Sequence, residues 1–394
     1  MRKLGTLTAA LLALLGALAL AHGGGPQGER LFRRLAVADA REPLVRILDE
    51  GGKELGRFTV PSVAALYPLP GGQYVLAVHR EGDAVSFLWG GFRLEDHGDH
   101  KDVKRENPFV AATLRTGPKP THVFVHEGRL AVFHDGDGTV ALFDLRRLGV
   151  DFTPGLVATG GADHGAPALL GEALLVGGLE RGKVEVYTLG GRKVLEIPQA
   201  CPRLHGEAVL GSTVAFGCAD GVLLVERRGQ GFLGRKVPHP PDAPQGARVG
   251  TLAAHPKHPF FVGNFGQGLA FVDPLAGRLD PLPLPSPPLG FGFDPEGEAL
   301  YLLTRDGRFH KLDPKARRVV GSLEAVSPLP QVPQGSPQPP RPRMALGHGV
   351  AYLTDPQRGQ VVEVDLEAWR VKARLEVGGT PSGIALFEVE GVEH

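Results

Sequence analysis

The sequence has few aromatic residues and no excess of charge of either sign. Phe, Trp and Tyr make up 7% of the 394 residues, and the formal net charge is zero. Stacking surfaces for bases or sugars are therefore few, and the charge balance gives no reason to expect nucleic acid or an anionic membrane surface as a partner. The sequence also contains no P-loop, no G-x-S-x-G motif and no cysteine nucleophile with a histidine partner.

Long hydrophobic runs are absent after the first 21 residues. That segment, MRKLGTLTAALLALLGALALA, has a basic start, an apolar middle and a small-residue end, which is the pattern of a secretory signal peptide cleaved after Ala21. A membrane anchor is the alternative, although the apolar run is short for a span. We therefore predict an exported protein that is not embedded in the membrane, with a flexible tail over residues 22–30.

Cysteine is scarce, since Cys201 and Cys218 are the only two in the chain. In an oxidising compartment, two cysteines in one short segment predict a disulfide. Two free thiols, or soft metal ligands, are the alternative. A bridge between them would brace the loop that carries His205.

Helical periodicity is nearly absent, and the chain instead repeats a strand–turn–strand pattern about every forty residues. Four examples are PTHVFVHEGRLAVFHDGDGTVALFDL, ADHGAPALLGEALLVGGLERGKVEVYTL, RLHGEAVLGSTVAFGCADGVLLVERR and PRPRMALGHGVAYLTDPQRGQVVEVDL. Four strands per repeat predict an all-β fold, a β-propeller of four-stranded blades occupying residues 31–394 as one domain. We count eight blades, with seven as the alternative, and expect the N- and C-terminal strands to share one blade and so close the ring.

Three consecutive repeats have a histidine at the head of their first strand: His122, His164 and His205. The first strand of each blade lines the central channel, so equivalent positions in neighbouring blades should face a common space. Histidine is infrequent in this chain, with 15 in 394 residues, which makes a chance alignment in three adjacent repeats improbable. Later repeats have other residues at this position, namely Val249, Leu289 and Arg343.

The stretch RLEDHGDHKD adds His97, Asp99 and His100, in the blade just before the His122 repeat. Because of that placement, we expect this loop to fold over the same sector of the ring as the three channel histidines. Neutral imidazoles with a carboxylate suit Zn²⁺ in a tetrahedral site. Further carboxylates, including Glu207, could fix the histidine tautomers. A solvated acidic turn is the alternative for this loop, and HDGDG (134–138) is better explained as a turn than as a calcium loop.

Several sequence motifs, which occur in the same order along the chain, resemble those of the AztD-type periplasmic zinc metallochaperones. They are EDHGDHKD, GPKPTHVFVHEGRLAVFHDGDGTVALFD, ADHGAP, LHGEA and VAFGCADGVLLV. The resemblance extends from about Leu31 to the C-terminal strand. It implies a periplasmic β-propeller that binds zinc through histidines and a carboxylate, and that hands the ion to the solute-binding protein of a zinc ABC importer. It supports all six candidate ligands, but which four form the first coordination shell stays open. The family often has a histidine-rich tail, whereas this chain has only His22 there.

Two other functions are compatible with the residues. One is an exported zinc-dependent hydrolase or lyase, with three histidine ligands, an open water position and Glu207 or Asp163 as general base. The other is a metal-free interaction scaffold, which would leave the histidine spacing unexplained. Four protein ligands would favour a carrier, and three ligands plus water would favour catalysis. A closed ring with balanced charge gives no sign of assembly, so we expect a monomer.

Overall fold

The computed structural model describes residues 28–333 and 335–393. The predicted signal peptide (1–21), His22 and most of the predicted tail lie outside these residues. No helix within the described ranges has both the length and the apolar character needed to cross a membrane.

The described chain forms eight four-stranded antiparallel sheets, the blades of a β-propeller. Blade 1 contains strands from both ends of the chain: β1 (Arg30–Asp39), β2 (Leu44–Asp49), β3 (Glu54–Thr59) and β34 (Pro381–Gly391). Blade 2 contains β4 (Ala65–Pro68), β5 (Tyr74–His79), β6 (Ala84–Trp89) and β9 (Phe109–Leu114). A two-stranded hairpin, which we call the lower hairpin, is inserted between β6 and β9 and consists of β7 (Phe92–Asp96) and β8 (Lys101–Arg105).

Blades 3 to 8 each use four consecutive strands. Blade 3 is β10 (Pro120–His126), β11 (Arg129–His134), β12 (Thr139–Asp144) and β13 (Gly155–Ala158); blade 4 is β14 (Gly165–Leu170), β15 (Ala173–Gly178), β16 (Val184–Thr188) and β17 (Lys193–Glu196). Blade 5 is β18 (Glu207–Leu210), β19 (Thr213–Cys218), β20 (Gly221–Arg228) and β21 (Gly231–Pro238); blade 6 is β22 (Leu252–Ala254), β23 (Phe261–Phe265), β24 (Gly268–Asp273) and β25 (Arg278–Leu282). Blade 7 is β26 (Pro288–Phe293), β27 (Leu300–Thr304), β28 (Arg308–Asp313) and β29 (Arg318–Glu324); blade 8 is β30 (Met344–Gly347), β31 (Val350–Asp355), β32 (Gln360–Asp365) and β33 (Arg370–Glu376). Two short 3-10 helices, Arg80–Gly82 and Leu145–Arg147, complete the described elements.

The burial pattern explains why these segments form stacked blades. The middle strands are apolar on both sides, as in β6, whose six residues are all buried, because neighbouring blades cover both faces of each sheet. The outermost strands alternate exposed and partly buried residues, as in β33, because one side meets solvent. The apolar cores therefore lie between successive blades, away from the channel.

Both chain ends meet in blade 1, where β34 pairs with β1 from Arg30↔Gly391 to Ala38↔Gly383. The predictions of eight blades and of a shared terminal blade are confirmed, and the seven-blade alternative is wrong. This closure leaves no open sheet edge between the first and last blades.

The direction of the strands defines two faces of the ring. The innermost strands of the blades surround the channel, and most neighbours among them contact each other, whereas between blades 2 and 3 the strand β10 contacts β5. These innermost strands are β34, β4, β10, β14, β18, β22, β26 and β30. We call the face where these strands begin the upper face, and the face where they end the lower face. Because the strands of a blade alternate in direction, the turn between the second and third strands also lies on the upper face, and the turn between the third and fourth on the lower face.

Candidate metal centres

The three predicted channel histidines lie together on the upper face. His122 is near the start of β10, His164 directly precedes β14, and His205 lies two residues before β18. The three positions are the heads of the innermost strands of blades 3, 4 and 5, so the rigid sheets bring them together. We call this group the upper cluster.

The ring nitrogens of the upper cluster are close enough for one ion. One nitrogen from each histidine can be chosen so that all three lie within 4.8 Å of one another. The Nε2 atoms of His122 and His164 are 2.9 Å apart, and the ring centroids of His122 and His205 are 5.1 Å apart. Small side-chain rotations would let one nitrogen of each ring bind the same zinc ion at the usual Zn–N distance of about 2.0–2.1 Å.

Two of the three tautomers are fixed by hydrogen bonds. The Nδ1–H of His164 donates to Asp135 Oδ2 at 2.8 Å, and the Nδ1–H of His205 donates to the carbonyl oxygen of Gly250 at 2.5 Å. A carbonyl can only accept, so Nδ1 of His205 carries the proton. Both residues therefore present an unprotonated Nε2, the form that binds a metal ion.

His122 is the member of the cluster whose Nε2 is engaged by another histidine. Because Nδ1 of His164 carries that ring's proton, the Nε2–H of His122 donates to the unprotonated Nε2 of His164, at 2.9 Å. Burial, followed by the charges of His164 and His205, lowers the pKa of His122 to about 3. Burial also lowers the pKa of His205. His122 is therefore neutral at physiological pH and needs only to move its remaining proton to Nδ1 before it can bind an ion.

Asp135 and Arg80 support His164 from outside the cluster. Arg80 donates to Asp135 Oδ2 at 3.0 Å, and this oxygen also accepts from His164. Burial opposes ionisation of Asp135, but the hydrogen bonds from His164 and Arg80 outweigh it and hold the pKa of the carboxyl below its usual value. Sequence reasoning missed Asp135 because it lies in HDGDG, which was interpreted only as a turn. The feature that could have identified Asp135 is its position at the upper end of β11, on the same face of the ring as the three histidines.

The predicted disulfide is present between Cys201 and Cys218. It lies beside the segment that positions His205, whose N–H donates to the carbonyl oxygen of Gly217 at 3.0 Å. Gly217 directly precedes Cys218, and Cys201 lies four residues before His205. The bridge therefore links the two segments whose pairing sets the position of this ring.

The two predicted general bases are not arranged for that role. Asp163 accepts hydrogen bonds from the backbone N–H groups of His164, Glu180 and Arg181, so it orders the turn before β14. Glu207 was also a candidate for fixing a tautomer, but its Oε2 is buried without a hydrogen-bond partner among the described residues. Burial raises the pKa of Glu207 to about 8, so the carboxyl is mostly protonated at neutral pH.

The structure does not bring the RLEDHGDHKD stretch to the upper cluster. This stretch forms the lower hairpin, which joins the third and fourth strands of blade 2 and therefore lies on the lower face. Its β8 strand is held there by two backbone hydrogen bonds of 2.8 Å to Val392, just past the lower end of β34. The N–H of Val103 donates to the carbonyl oxygen of Val392, and the N–H of Val392 donates to the carbonyl oxygen of Lys101. The expectation that the loop folds over the sector of His122 is wrong, and His97, Asp99 and His100 form a separate group.

Within the lower hairpin, Asp102 joins the two histidine rings. Its two oxygens lie 3.2 Å from Nε2 of His97 and 3.2 Å from Nε2 of His100. Asp99 contacts the other side of His100, with Oδ1 2.8 Å from Nδ1. One ligand atom each of Glu95, His97 and Asp102 can be chosen within 4.8 Å of one another. Asp102 was missed from the sequence because it belongs to β8 rather than to the turn. It meets His97 because the two strands pair antiparallel.

No family model matches this chain. The sequence is, however, 28% identical over 375 residues to the zinc chaperone AztD of Citrobacter koseri, an alignment that covers 92% of this chain and 88% of that protein. The crystal structure of Citrobacter koseri AztD superposes with a TM-score of 0.81 at 26% identity, covering 93% of this chain and 100% of the other. The resemblance found in the sequence is therefore confirmed over nearly the whole described chain.

More distant proteins share the fold alone. The dihydro-heme d1 dehydrogenase NirN superposes with a TM-score of 0.58 at 14% identity, covering 89% of this chain and 74% of that chain. Propellers with different activities therefore have this architecture, and the function has to be argued from the sites.

Proposed function

We propose that this protein, like the zinc chaperone AztD to which it is similar, is an exported zinc chaperone. In this proposal it binds Zn²⁺ at the upper cluster in the periplasm and transfers the ion directly to the solute-binding protein of a zinc ABC importer. The observation that carries the proposal is the convergence of His122, His164 and His205 with two of their tautomers already set for metal binding.

The number of protein ligands is central to how the ion could be released. The upper cluster offers three imidazoles, and no fourth His, Cys, Asp or Glu of the described ranges joins the group. Zinc prefers four ligands, so one position stays open to a group supplied from outside. A ligand of the receiving protein can enter there, and the three histidines can then leave one at a time.

Three protein ligands with an open position are the arrangement that the ligand-number criterion assigns to catalysis, so a zinc hydrolase or lyase is the second candidate function. Such an enzyme needs a base to activate the bound water. Asp163 is engaged by backbone amides, and Glu207 is mostly protonated at neutral pH because burial raises its pKa to about 8. The absence of a free, ionised base among these two predicted candidates favours the carrier, in agreement with the similarity to a chaperone.

The transfer step can be tested by adding a zinc-free solute-binding protein of such an importer to the zinc-loaded chaperone in the presence of excess EDTA. We expect zinc to appear on the binding protein, because direct ligand exchange bypasses free solution. The two proteins are then separated and their zinc contents measured. In a matched control reaction, a zinc-loaded small chelator replaces the chaperone as the zinc donor. This control measures how much of the zinc released into solution is bound by EDTA. If EDTA intercepts the chaperone's zinc to the same extent, transfer through a complex is contradicted.

We also propose the lower hairpin as a second zinc position, with Glu95, His97 and Asp102 as the group that one ion can reach and with the predicted ligands His100 and Asp99 beside it. Replacing Asp102 by asparagine removes the carboxylate that faces both rings, so we expect the affinity of the second ion to fall by at least about tenfold. Zinc content after dialysis against a weak chelator is the measurement. Glu172→Gln is the matched control, because the Glu172 side chain is 75% exposed and pairs with Arg129 instead of with a histidine of the hairpin. Equal zinc content in the two variants would contradict this assignment.

A further inference from the structure

The sector of the channel opposite the upper cluster carries arginines instead of histidines. Arg343 directly precedes β30, so in blade 8 it occupies the position that His164 occupies in blade 4. Blades 4 and 8 are diametrically opposed in an eight-membered ring. The two sides of the upper channel mouth therefore have different chemistry, with imidazoles on one side and guanidinium groups on the other.

A cavity of about 410 Å³ lies at this position, between blades 8, 1 and 2. Its polar lining includes Arg341, Arg343, the phenol of Tyr67 and Ser382. The remainder of the wall is formed by small and apolar residues of β4, β30 and β34 and by Pro340. The cavity is large enough for a small molecule and is lined by two cations.

Neither guanidinium has a counter-ion within residues 28–333 and 335–393. The hydrogen bonds of Arg343 in those ranges use its backbone: its N–H donates to Thr354 Oγ1 at 2.8 Å, and its carbonyl oxygen accepts from the backbone N–H of Thr354 at 2.9 Å. Arginines elsewhere in the molecule are commonly paired, as Arg33 is with Glu388. Two unpaired cations side by side repel each other, and they are stabilised when an anion binds between them.

The electrostatics of the cavity agree with this geometry. Burial, followed by the charge of Arg341, lowers the pKa of Arg343, so the two guanidinium groups lie close enough to repel each other. Burial raises the pKa of Tyr67, and the charge of Arg343 acts on the same phenol in the opposite direction. Tyr67 therefore keeps its proton and lies close enough to Arg343 to donate a hydrogen bond to a shared ligand.

We propose that the cavity formed by Arg341, Arg343 and Tyr67 binds a small oxyanion, either a carboxylate or a phosphate. Guanidinium groups present planar pairs of N–H donors that match the oxygens of both anions, and the phenol adds a third donor. The site lies across the channel mouth from the upper cluster and shares no residue with it. The proposal therefore does not depend on zinc binding.

Titration of the zinc-free, full-length protein with succinate and, separately, with inorganic phosphate tests the proposal. Isothermal titration calorimetry in low-chloride buffer is suitable, because chloride competes for arginine sites and salt screens the attraction. We expect at least one anion to bind saturably, with a dissociation constant of about 1 mM or lower. Whichever anion binds more tightly identifies the class of ligand.

Arg343→Gln and, separately, Arg341→Gln should weaken that binding by about tenfold or more, because each removes a charged donor. Arg370→Gln is the matched control, since Arg370 begins the outermost strand of blade 8, far from the channel. Thermal melting of each variant confirms that it is folded. Absence of saturable binding for both anions overturns the proposal, and so does equal binding by the Arg343→Gln and Arg370→Gln variants. Because zinc is absent throughout, neither result bears on zinc transfer.

Discussion

Replacing His164 by alanine is expected to lower the zinc affinity of the upper cluster by at least about 100-fold, because a ligand is lost from a site of only three histidines. The substitution also leaves Asp135 with Arg80 but without its histidine partner. Competition against a fluorescent zinc chelator gives the affinity, and elemental analysis of protein purified from the periplasm gives the zinc content. Any ion held at the lower hairpin should remain.

His126→Ala is the matched control for this experiment. His126 ends β10, the innermost strand that begins near His122, and it therefore lies on the lower face. Its ring nitrogen is 3.6 Å from Glu127, and it belongs to neither metal group. We expect this variant to retain its zinc. An affinity equally unchanged in both variants would show that the upper cluster does not hold the ion.

Acidification is expected to destabilise the zinc-free protein through His122. The pKa of this residue is about 3 in the folded protein, whereas an unfolded histidine titrates near 6.5. Between these two values the unfolded state binds more protons, so the free energy of unfolding falls as the pH decreases from about 6.5 toward 3. From pH 7 to pH 5, His122 alone should lower it by about 2 kcal/mol. His205, whose pKa burial also lowers, adds to the loss.

Other groups also titrate in this range, so the effect of His122 is obtained by comparing variants. His122→Gln removes the titrating ring and should show a smaller drop in melting temperature between pH 7 and pH 5 than the unaltered protein. His126→Gln should show the full drop. The comparison uses the change with pH in each protein, so a constant loss of stability in one variant does not affect it. Identical pH dependence in all three proteins would contradict the low pKa of His122.

The fold could be predicted from the sequence because every blade repeats one pattern of strands and glycine turns. The three channel histidines could be predicted for the same reason, since equal positions in adjacent repeats become neighbours around a ring. His122, His164 and His205 do lie together. Their function as zinc ligands stays a proposal.

The location of the lower hairpin could not be obtained in this way. An inserted pair of strands reverses the chain direction twice. The fourth strand of the blade therefore runs in the same direction with or without the insertion, and the sequence pattern of the repeat is unchanged. Recognising that β9, and not β7, is the fourth strand of blade 2 requires the pairing of β9 with β6. Asp135 was missed for a related reason. A carboxylate in a turn has the same local sequence pattern whether it faces solvent or a histidine of the next blade.

The shared terminal blade has a consequence for the order in which the two sides of the channel mouth form. The upper cluster depends on three consecutive blades, so its contacts are local and can form before the ring closes. The arginine-lined cavity also depends on β34, which follows every other strand along the chain. Its wall is completed only when β34 pairs with β1. A partly folded chain can therefore possess the histidine side of the mouth before it possesses the arginine side.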